Sequence, residues 1–270
     1  MAVDLTGKPI VIAGASSGIG RATALACARA GMPVVLGARR VEKLEEVARE
    51  IERIGGRAAV VECDVSVDGA CERLIEMCAS EFGPVYAAYA NAGYGFEATA
   101  LDTGVQRWRE IFETNFFGTL RLIDAATPAM LREGRGHVLI CSSCLGRFPT
   151  PLYSAYTATK AAQHHLGRAM DVELRGRGVR VSTIHPIGTT TEFFDTAHAK
   201  SEGAKFTKRT PRFAMQSPER VAGAIVKCLR RPTPEVWTNW PTRTAIGVAA
   251  MFPGVTNAFL RRAMKDGLGR

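Results

Sequence analysis

Short apolar runs alternate with stretches of helical length along this chain of 270 residues, and this alternation predicts an α/β fold. Each run is too short for a helix and is apolar on both faces, as a strand covered by helices on both sides must be. Glycine and proline stand at the junctions, where the chain must turn. We therefore expect a doubly wound parallel sheet of about seven strands with helices on both faces.

The apolar runs locate five of these strands directly. They cover residues 10–13, 34–36, 85–90, 137–140 and 179–184. In a parallel sheet of this kind, ligands bind beyond the carboxyl ends of the strands, near the point where the strand order reverses. The residues that follow each run are therefore the candidates for binding and catalysis.

Helical periodicity fills the segments between the strands. Residues 19–30 form one candidate helix, and residues 41–54 form another, whose apolar positions recur at helical spacing. A further helix is expected after Ser217, because serine can cap a helix and Pro218 fits its first turn.

Composition narrows the class of protein. Hydrophobic residues make up 46% of the chain and charged residues 23%, as in ordinary globular domains. No window approaches the roughly 20 consecutive apolar residues of a membrane span. The N-terminus lacks the basic region of a signal peptide, and the 7 cysteines form no even framework, so we expect a cytoplasmic protein. The net charge of +9 comes from Lys and Arg spread along the chain, and no nucleic-acid partner is expected.

No repeat or linker divides the chain, so residues 1–241 are assigned to a single domain, within which the periodicity fades at about 189–216. That segment mixes aromatic with basic residues, which suits an apolar, anionic substrate, although a loop packing its own aromatics on the body explains it equally well. The aromatic and basic positions are Phe193, Phe194, Phe206 and Phe213 with Lys200, Lys205, Lys208, Arg209 and Arg212.

Residues 242–270 are expected to form a C-terminal helical extension of the same domain. Their apolar part is interrupted at Pro253 and Gly254, and a basic amphipathic stretch begins at Phe259. Such a stretch can lie on a membrane surface. Packing against the body or against a second subunit is the interpretation preferred here, in keeping with an expected homo-oligomer, either a dimer or a tetramer.

The first apolar run ends in a glycine-rich turn that opens a helix. Glycine permits the tight turn and lets a pyrophosphate approach the backbone N–H groups at the positive end of that helix. A tight strand-to-helix turn also needs glycine, so the strand before it and the helix after it are what favour a dinucleotide site. The candidate residues are Gly14, Ser16, Ser17, Gly18, Ile19 and Gly20.

Two arginines, Arg39 and Arg40, follow the second strand, where an acidic residue would hold the ribose 2′-OH of NAD. A carboxylate would repel a 2′-phosphate, whereas guanidinium groups form charge-assisted hydrogen bonds with it. This pair predicts NADP(H) as the cofactor. The alternative is that both are solvated residues opening the next helix.

A serine pair and a Tyr–Lys pair follow the fifth strand. Ser143 closes the serine pair, and Tyr156 and Lys160 lie four residues apart on one face of a helix expected from residue 154 onward. An ammonium near a phenol lowers the phenol pKa from about 10, which makes the tyrosine a usable acid or base. The Tyr–Lys spacing alone is common and is more often structural.

Together, the order and spacing of these pieces resemble the short-chain dehydrogenase/reductase family. The matching positions are Gly14, Gly18, Ile19, Gly20, Asp64, Asn91, Ala92, Gly93, Asn115, Ser143, Tyr156 and Lys160, with the serine 13 residues before the tyrosine. The resemblance covers residues 5–191, and more loosely as far as Trp237. It implies that the segment at about 189–216 is a variable segment that forms the substrate lid. It implies a Rossmann-like fold and an NADP(H)-dependent oxidoreductase that interconverts a small-molecule ketone or aldehyde and its alcohol. An NADP-binding scaffold or redox sensor without turnover is the alternative.

The resemblance also implies the role of each catalytic position. Tyr156 would act as general acid in carbonyl reduction and as base in alcohol oxidation. Ser143 would hydrogen-bond the substrate oxygen. Lys160 would hold the nicotinamide ribose and lower the tyrosine pKa, and Asn115 would position a water in the proton relay.

Further positions are matched to cofactor contacts. Asp64 and Val65 correspond to an adenine contact, Thr191 to a cofactor-binding threonine, and Asn91, Ala92 and Gly93 to the loop beside the cofactor. Two departures from the family pattern stand out. Ala90 replaces an asparagine, and Ile187 replaces the glycine that usually follows Pro186.

Several cysteines and histidines are weighed and set aside. Cys141 and Cys144 have CxxC spacing, but we expect Cys141 to point into the core. His164 and His165 are adjacent on a candidate helix, where neighbouring side chains diverge, so we expect no metal site. His185 is expected to be a hydrogen-bonded core or loop histidine.

Overall fold

A computed structural model describes residues 2–201 and 215–268, and a parallel β-sheet lies at its centre. Its strands are β1 Ile10–Ala13, β2 Val34–Ala38, β3 Ala58–Glu62, β4 Ala87–Ala90, β5 Gly136–Cys141, β6 Val179–His185 and β7 Glu235–Trp237. The seven strands are ordered β3-β2-β1-β4-β5-β6-β7, and every neighbouring pair is parallel. The doubly wound parallel sheet predicted from the sequence is confirmed.

Helices connect the strands and cover both faces of the sheet. They are α1 Gly18–Arg29, α2 Val41–Arg53, α3 Ala70–Phe82, α4 Gly104–Phe112, α5 Gly118–Arg132, α6 Ser154–Arg175, α7 Phe193–Ala199, α8 Pro218–Arg230, α9 Trp240–Met251 and α10 Pro253–Leu268. A π-helical turn, Glu113–Phe117, joins α4 to α5, and a 3-10 turn, Cys144–Arg147, follows β5.

The alternation of β1 shows why the strands are apolar on both faces. Ile10 and Ile12 pack into one buried cluster with side chains of α1, α2 and α8. Val11 and Ala13 pack into a second cluster with side chains of α3 and α5. Burial on both sides leaves no solvent-facing position in the strand, so the sequence there is uniformly hydrophobic.

The sequence predicts about seven strands but gives no position for the two at the edges of the sheet. β3 is only partly buried and β7 is 3 residues long, so neither carries a distinct apolar run. Several predicted boundaries also differ from the structure by one or two residues, and β2, for example, extends to Ala38 instead of residue 36. The strand predicted over residues 85–90 begins at Ala87, because Val85 and Tyr86 belong to the connection before it.

The predicted helix ends are borne out at two places. The Ser217 hydroxyl accepts a hydrogen bond from the Arg220 N–H at 3.3 Å, which caps α8. The helix is interrupted before Pro253, as predicted, so the C-terminal extension consists of two helices, α9 and α10. Within the described ranges, no helix combines the length and the apolarity that crossing a bilayer requires.

Part of the expected variable segment lies outside the described residues, namely residues 202–214. This includes the predicted positions Phe206, Phe213, Lys205, Lys208, Arg209 and Arg212.

The strand order places β1 beside both β2 and β4, so the chain reverses its winding direction there. In such sheets a ligand crevice opens at the carboxyl ends of the strands next to this point. The glycine-rich turn follows β1, Arg39 follows β2, Asn91 follows β4 and Ser143 lies two residues after β5. The fold therefore collects the candidate residues along one edge of the sheet.

Candidate functional site

The glycine-rich turn after β1 packs against the loop after β4. Gly14 has φ +85°, and a Cβ there would lie 2.7 Å from the Ala92 nitrogen. A Cβ on Gly20 would lie 2.0 Å from the Gly14 oxygen, which itself accepts a hydrogen bond from Asn91 Nδ2 at 2.9 Å. Only glycine fits these two positions, and Asn91 fixes the turn against β4.

Thr191 comes to the same turn from the far end of the sheet. A Cβ on Gly18 would lie 3.0 Å from Thr191 Cγ2, so the two residues are in contact. The backbone path after β6 is held by the Cys144 N–H, which donates to the Pro186 oxygen at 3.0 Å, and by a bridge between Thr189 and Gln216. Ile187 in this path therefore does not keep Thr191 from the glycine-rich turn.

The two arginines after β2 are placed differently. Arg40 Nη2 donates to Ser16 Oγ at 3.1 Å and to Ser17 Oγ at 2.9 Å, so it is tied to the glycine-rich turn. Arg39 is 77% exposed, with Nη1 3.8 Å from an Asp64 oxygen. Both guanidinium groups therefore lie beyond the carboxyl end of β2, one anchored to the glycine-rich turn and one extended into solvent.

Glu192 and Lys43 lie beside Arg40, and sequence reasoning missed both. Glu192 accepts from Arg40 Nη1 at 2.8 Å and from Lys43 Nζ at 2.7 Å. These hydrogen bonds lower the pKa of the Glu192 carboxyl to about 2, and the one from Lys43 has the largest effect. Lys43 lies three residues after Arg40, at the start of α2. This helical spacing could have indicated from the sequence that the two side chains lie on the same side.

Asp64 lies after β3, beside Arg39. Burial raises the pKa of its carboxyl, but hydrogen bonds from Ser66 outweigh this effect and hold the pKa below its ordinary value. The Ser66 N–H and hydroxyl both donate to Asp64 Oδ1, at 3.0 and 2.6 Å. The neighbouring Val65 is buried against Gly118 at the start of α5.

Ser143 and Tyr156 lie together at the carboxyl end of β5. Both side chains are buried, and the tyrosine hydroxyl is hydrogen-bonded to the serine side chain. The serine hydroxyl also accepts from the Leu145 N–H at 3.1 Å. The Tyr156 ring stands 5.3 Å, centre to centre, from that of Phe193. Phe193 is thus the part of the expected variable segment that reaches this tyrosine.

Lys160 lies one helical turn after Tyr156, as the spacing predicts, but its ammonium points elsewhere. Nζ donates to the Cys141 oxygen at 2.7 Å and to Gln163 Oε1 at 2.9 Å, and it lies 5.6 Å from the centre of the tyrosine ring. Burial lowers the pKa of this ammonium.

The expectation that Lys160 lowers the pKa of Tyr156 is wrong for this arrangement. Burial raises the pKa of the Tyr156 phenol well above 10, and the hydrogen bond with Ser143 is the opposing influence. The physical reason is that the phenol lies in a desolvated pocket while the nearest cation is directed at a backbone carbonyl and an amide.

Gln163, which sequence reasoning also missed, joins Lys160 to Asn115. Its Nε2 donates to the Asn115 backbone oxygen and to Thr119 Oγ1, both at 2.7 Å, while its Oε1 accepts from the lysine. The side chain is completely buried. One amide therefore holds both a charged donor and a backbone acceptor in place.

Asn115 lies in the π-helical turn before α5 and uses its side chain within the protein. Its Oδ1 accepts from the Tyr94 N–H at 3.0 Å, and its Nδ2 donates to the Tyr94 oxygen at 2.9 Å and to Thr159 Oγ1 at 3.1 Å. A Cβ on Gly93 would lie 3.0 Å from Asn115 Oδ1 and 3.6 Å from Lys160 Nζ. The loop of Asn91, Ala92 and Gly93 thus links the glycine-rich turn to the serine, tyrosine and lysine.

His185, at the end of β6, contacts the backbone of Ser143. Its Nδ1 lies 3.0 Å from the Ser143 backbone oxygen, and its Nε2 lies 3.0 Å from Thr183 Oγ1. Its ring stacks on Trp237 at 4.5 Å, and burial lowers its pKa to about 4. The prediction of a hydrogen-bonded core histidine is confirmed, and the buried position of Cys141 in the core is confirmed as well.

A family model described as short chain dehydrogenase matches residues 8–202. An uncharacterised oxidoreductase of Listeria monocytogenes is 32% identical over 232 residues, which cover 85% of this chain and 93% of that protein. The glycine betaine reductase of Emericella nidulans is 33% identical over 228 residues, or 84% of this chain, which spans only 18% of that longer protein.

Two solved structures extend the comparison. A short-chain dehydrogenase/reductase from Burkholderia phymatum, in complex with NAD, superposes with a TM-score of 0.85 over 94% of this chain and 96% of that one, at 23% identity. An alcohol dehydrogenase from Thermococcus sibiricus, complexed with 5-hydroxy-NADP, gives 0.75 over 85% of this chain and 94% of that one, at 29% identity.

Proposed function

The chain belongs to the short-chain dehydrogenase/reductase family, and from that premise we propose that it is an NADP(H)-dependent oxidoreductase acting on a ketone or aldehyde and its alcohol. The observation that carries the proposal is the burial of Ser143, Tyr156 and Lys160 together beside the glycine-rich turn. All three are present in the order and spacing typical of catalytic members. The alternative, an NADP-binding scaffold without turnover, has no such requirement for a serine paired with a tyrosine.

The residues around the glycine-rich turn fit a dinucleotide. The turn approaches its neighbours so closely that Gly14 and Gly20 leave no room for a side chain, and α1 begins at Gly18 with no acidic residue in its first turn. The positive end of a helix and its N–H groups favour a pyrophosphate at such a place. Thr191 lies against the turn as a further hydroxyl donor.

NADP(H) is the form of the cofactor that the charges favour. Arg39, Arg40 and Lys43 gather around the end of β2, and only Glu192 among their carboxylate partners faces both Arg40 and Lys43. A phosphate on the ribose would take over these donors with two negative charges in place of one. The two solved structures bind one form each, an NADP derivative in Thermococcus sibiricus and NAD in Burkholderia phymatum, so the preference rests on the charges of this chain.

The chemistry follows from the state of the tyrosine. A bound nicotinamide would supply the hydride. Because burial raises the pKa of Tyr156, the phenol carries its proton at neutral pH and can donate it to a carbonyl oxygen as the negative charge develops there. Ser143 donates a hydrogen bond to the same oxygen, and Lys160 holds the ribose hydroxyls.

The surroundings of the tyrosine favour an apolar substrate. Phe96, Ala98, Ile111 and Ala155 form a small buried cluster with Tyr156, against which Phe193 packs. A ketone or aldehyde with an apolar substituent could bury it against these rings.

The proposal is tested by titrating the purified protein with NADPH and NADH while cofactor fluorescence is followed, and then by assaying NADPH oxidation with a panel of ketones and aldehydes. We expect tighter binding of NADPH, and turnover with at least one apolar carbonyl. Tight NADPH binding without turnover on the whole panel would favour the scaffold. The cytoplasmic location and the homo-oligomer remain predictions.

Arg39→Asp tests the cofactor preference on its own. Phosphate pairing becomes repulsion, so NADPH should bind far more weakly while NADH changes little. Arg49→Asp is the matched control, since Arg49 is an exposed arginine farther along α2 whose partner is Glu45. Equal losses for both cofactors would show that Arg39 does not contact the 2′-phosphate.

A further inference from the structure

Helices α9 and α10 expose large apolar side chains to solvent. Six of the large exposed hydrophobic residues in the described part of the chain lie within this one segment, and five of the six are 58–71% exposed. They are Trp240, Val248, Met251, Phe252, Val255 and Phe259. We refer to these six residues as the C-terminal apolar face. Monomeric proteins rarely leave so many large apolar side chains together in water.

The contacts of α10 explain why one side of it stays exposed. Thr256 Oγ1 donates to the Ala249 oxygen at 2.8 Å, which joins α10 to α9. Leu260 and Met264, four and eight residues on, line a cavity against the loop that follows Ser143. Val255 and Phe259 each precede this row by one residue, so they point about 100° away from it. The body therefore occupies one side of α10 and leaves the apolar face outside.

Packing against the body, which the sequence favoured, thus accounts for only part of the extension. It covers Ile246 of α9 and partly covers Leu260 and Met264 of α10. The aromatic side chains of the C-terminal apolar face are not covered by the body.

The charge of the segment is one-sided. Helices α9 and α10 contain Arg243, Arg261, Arg262 and Lys265 and a single acidic residue, Asp266. The Arg243 guanidinium lies 4.6 Å from the centre of the Trp240 ring, and both Arg261 and Arg262 are exposed. Cations therefore outnumber carboxylates by four to one in these two helices.

From the exposed apolar face and the excess of cations in the same helices, we propose that α9 and α10 bind the surface of an anionic lipid bilayer, with the C-terminal apolar face inserted among the acyl chains. Helices that lie in a membrane interface combine aromatic and aliphatic residues on one side with Lys and Arg beside them. Trp240, Phe252 and Phe259 supply the insertion, and the arginines pair with lipid phosphates. Helices of 12 and 16 residues lie on the bilayer and do not cross it.

The same charges argue against a second copy of this chain as the occupant. A two-fold interface would place the same patch of both subunits face to face. The arginines of both subunits would then lie in one interface, where Asp266, the single acidic residue of α9 and α10, could neutralise only part of their charge. An anionic lipid headgroup supplies the missing negative charge.

The test is co-sedimentation of the full-length protein with vesicles of phosphatidylcholine alone and with vesicles in which phosphatidylglycerol replaces part of it. We expect binding to the anionic vesicles, weak binding to the neutral ones, and release by added salt. The double variant Phe252→Ser/Phe259→Ser should bind the anionic vesicles at least about tenfold more weakly. Arg261→Glu/Arg262→Glu should abolish the preference for phosphatidylglycerol.

The control is Leu101→Ser/Val172→Ser, which removes two exposed apolar side chains elsewhere on the surface and should leave vesicle binding intact. Thermal unfolding and NADPH binding of each variant verify that the sheet and its cofactor site are unchanged. The proposal is overturned if the wild type fails to bind anionic vesicles, or if the Phe variant binds them as well as the control does. It is also overturned if the wild type is a stable dimer that the Phe variant dissociates while neither protein binds lipid.

Discussion

At the scale of single residues, the protonation of Tyr156 is set by its surroundings. Four features meet at the phenol: burial, the Ser143 hydroxyl, the Phe193 ring, and a Lys160 ammonium that is directed at the Cys141 carbonyl. Burial disfavours the phenolate more than the serine favours it, so the pKa lies above 10. The tyrosine is therefore arranged as a proton donor.

Replacing Tyr156 by Phe removes that donor and leaves the ring in place. We expect NADPH oxidation with the best carbonyl substrate to fall by about 10²-fold or more, because general acid catalysis is lost. NADPH affinity, measured by fluorescence, should stay within about twofold, since a missing phenol hydroxyl leaves the phosphate contacts untouched. Tyr86→Phe, at the opposite end of the sheet, is the control. Activity near that of the wild type in Tyr156→Phe would refute the assignment.

Glu192 is the second residue whose charge has a direct consequence. It accepts from both Arg40 and Lys43, the donors that we assign to the 2′-phosphate of NADP(H). Glu192→Gln removes a competing carboxylate, and we expect NADPH to bind about three- to fivefold more tightly, a modest effect because these ion pairs are half-exposed. NADH affinity should change little.

The measurement is the same fluorescence titration, at low and at high salt, with Glu45→Gln as the control on the exposed side of α2. The gain should shrink as salt screens the charges. A loss of NADPH affinity in Glu192→Gln would mean that the carboxylate organises the two cations for the phosphate instead of competing with it.

At the scale of elements, Gln163 connects α6 to the π-helical turn before α5. Its amide accepts from Lys160 and donates to the backbone oxygen of Asn115, so the lysine is oriented by a neutral, buried partner. A π-helical turn widens the backbone locally and is frequent at functional sites. Here it turns the Asn115 oxygen toward α6, where the glutamine reaches it.

We predict that Gln163 acts as a positioning residue for Lys160. Gln163→Leu should lower kcat by about tenfold because the lysine loses a fixed acceptor, with a smaller effect on the KM for NADPH. Gln163→Glu keeps an acceptor and adds a charge, which should raise the pKa of Lys160 and move the alkaline limb of the pH–rate profile upward. A purely structural role would lower thermal stability in both variants without moving the profile.

The glycine-rich turn shows how an element depends on its neighbours. Gly14 is bounded by the Ala92 backbone of the β4 loop, and Gly18 by the Thr191 side chain of the segment after β6. The turn is thus shaped by three separate parts of the chain. Its sequence could be read in advance because steric exclusion of a Cβ leaves glycine as the one acceptable residue.

At the scale of the whole molecule, buried histidines link stability to pH. Burial lowers the pKa of His137 to about 3 and that of His185 to about 4. His137 Nε2 pairs with Ser182 Oγ, which donates to the Thr233 oxygen, so the ring holds its proton on Nε2. A second proton on Nδ1 would find no acceptor among the described residues.

In the unfolded chain these histidines take up a proton near pH 6.5, whereas the folded protein keeps them neutral until a lower pH. The stability they contribute is therefore complete above pH 6.5 and is lost as the pH falls toward 4. We expect the free energy of unfolding, from urea denaturation, to fall by about 1.4 kcal/mol per pH unit for each such histidine between pH 6 and 5.

His137→Gln should reduce this slope by about the contribution of one histidine, and His198→Gln, an exposed position on α7, should not change it. Equal slopes in all three proteins would mean that His137 is not neutral in the folded state at pH 5.

Much of the molecule could be read from the sequence because local rules decide it. Residues 10–13 had to be a buried strand, since they are apolar on both faces, and Gly14 had to be glycine. The Tyr156–Lys160 spacing on α6 follows from helical geometry alone. The edge strands β3 and β7 could not be located from the sequence, because partial burial leaves them without a distinct apolar run.

What the sequence by itself determined is the doubly wound sheet, the glycine-rich turn, and the order of serine, tyrosine and lysine along the chain, because periodicity and steric exclusion act over a few residues. Only the tertiary structure decided which distant groups meet. Glu192 reaches Arg40 across 152 positions of sequence, and Gln163 reaches Asn115 across 48. The raised pKa of Tyr156 and the exposed face of α9 and α10 are likewise decided there. Desolvation, charge pairing and exposure depend on the fold that surrounds a residue, and no local pattern carries that information.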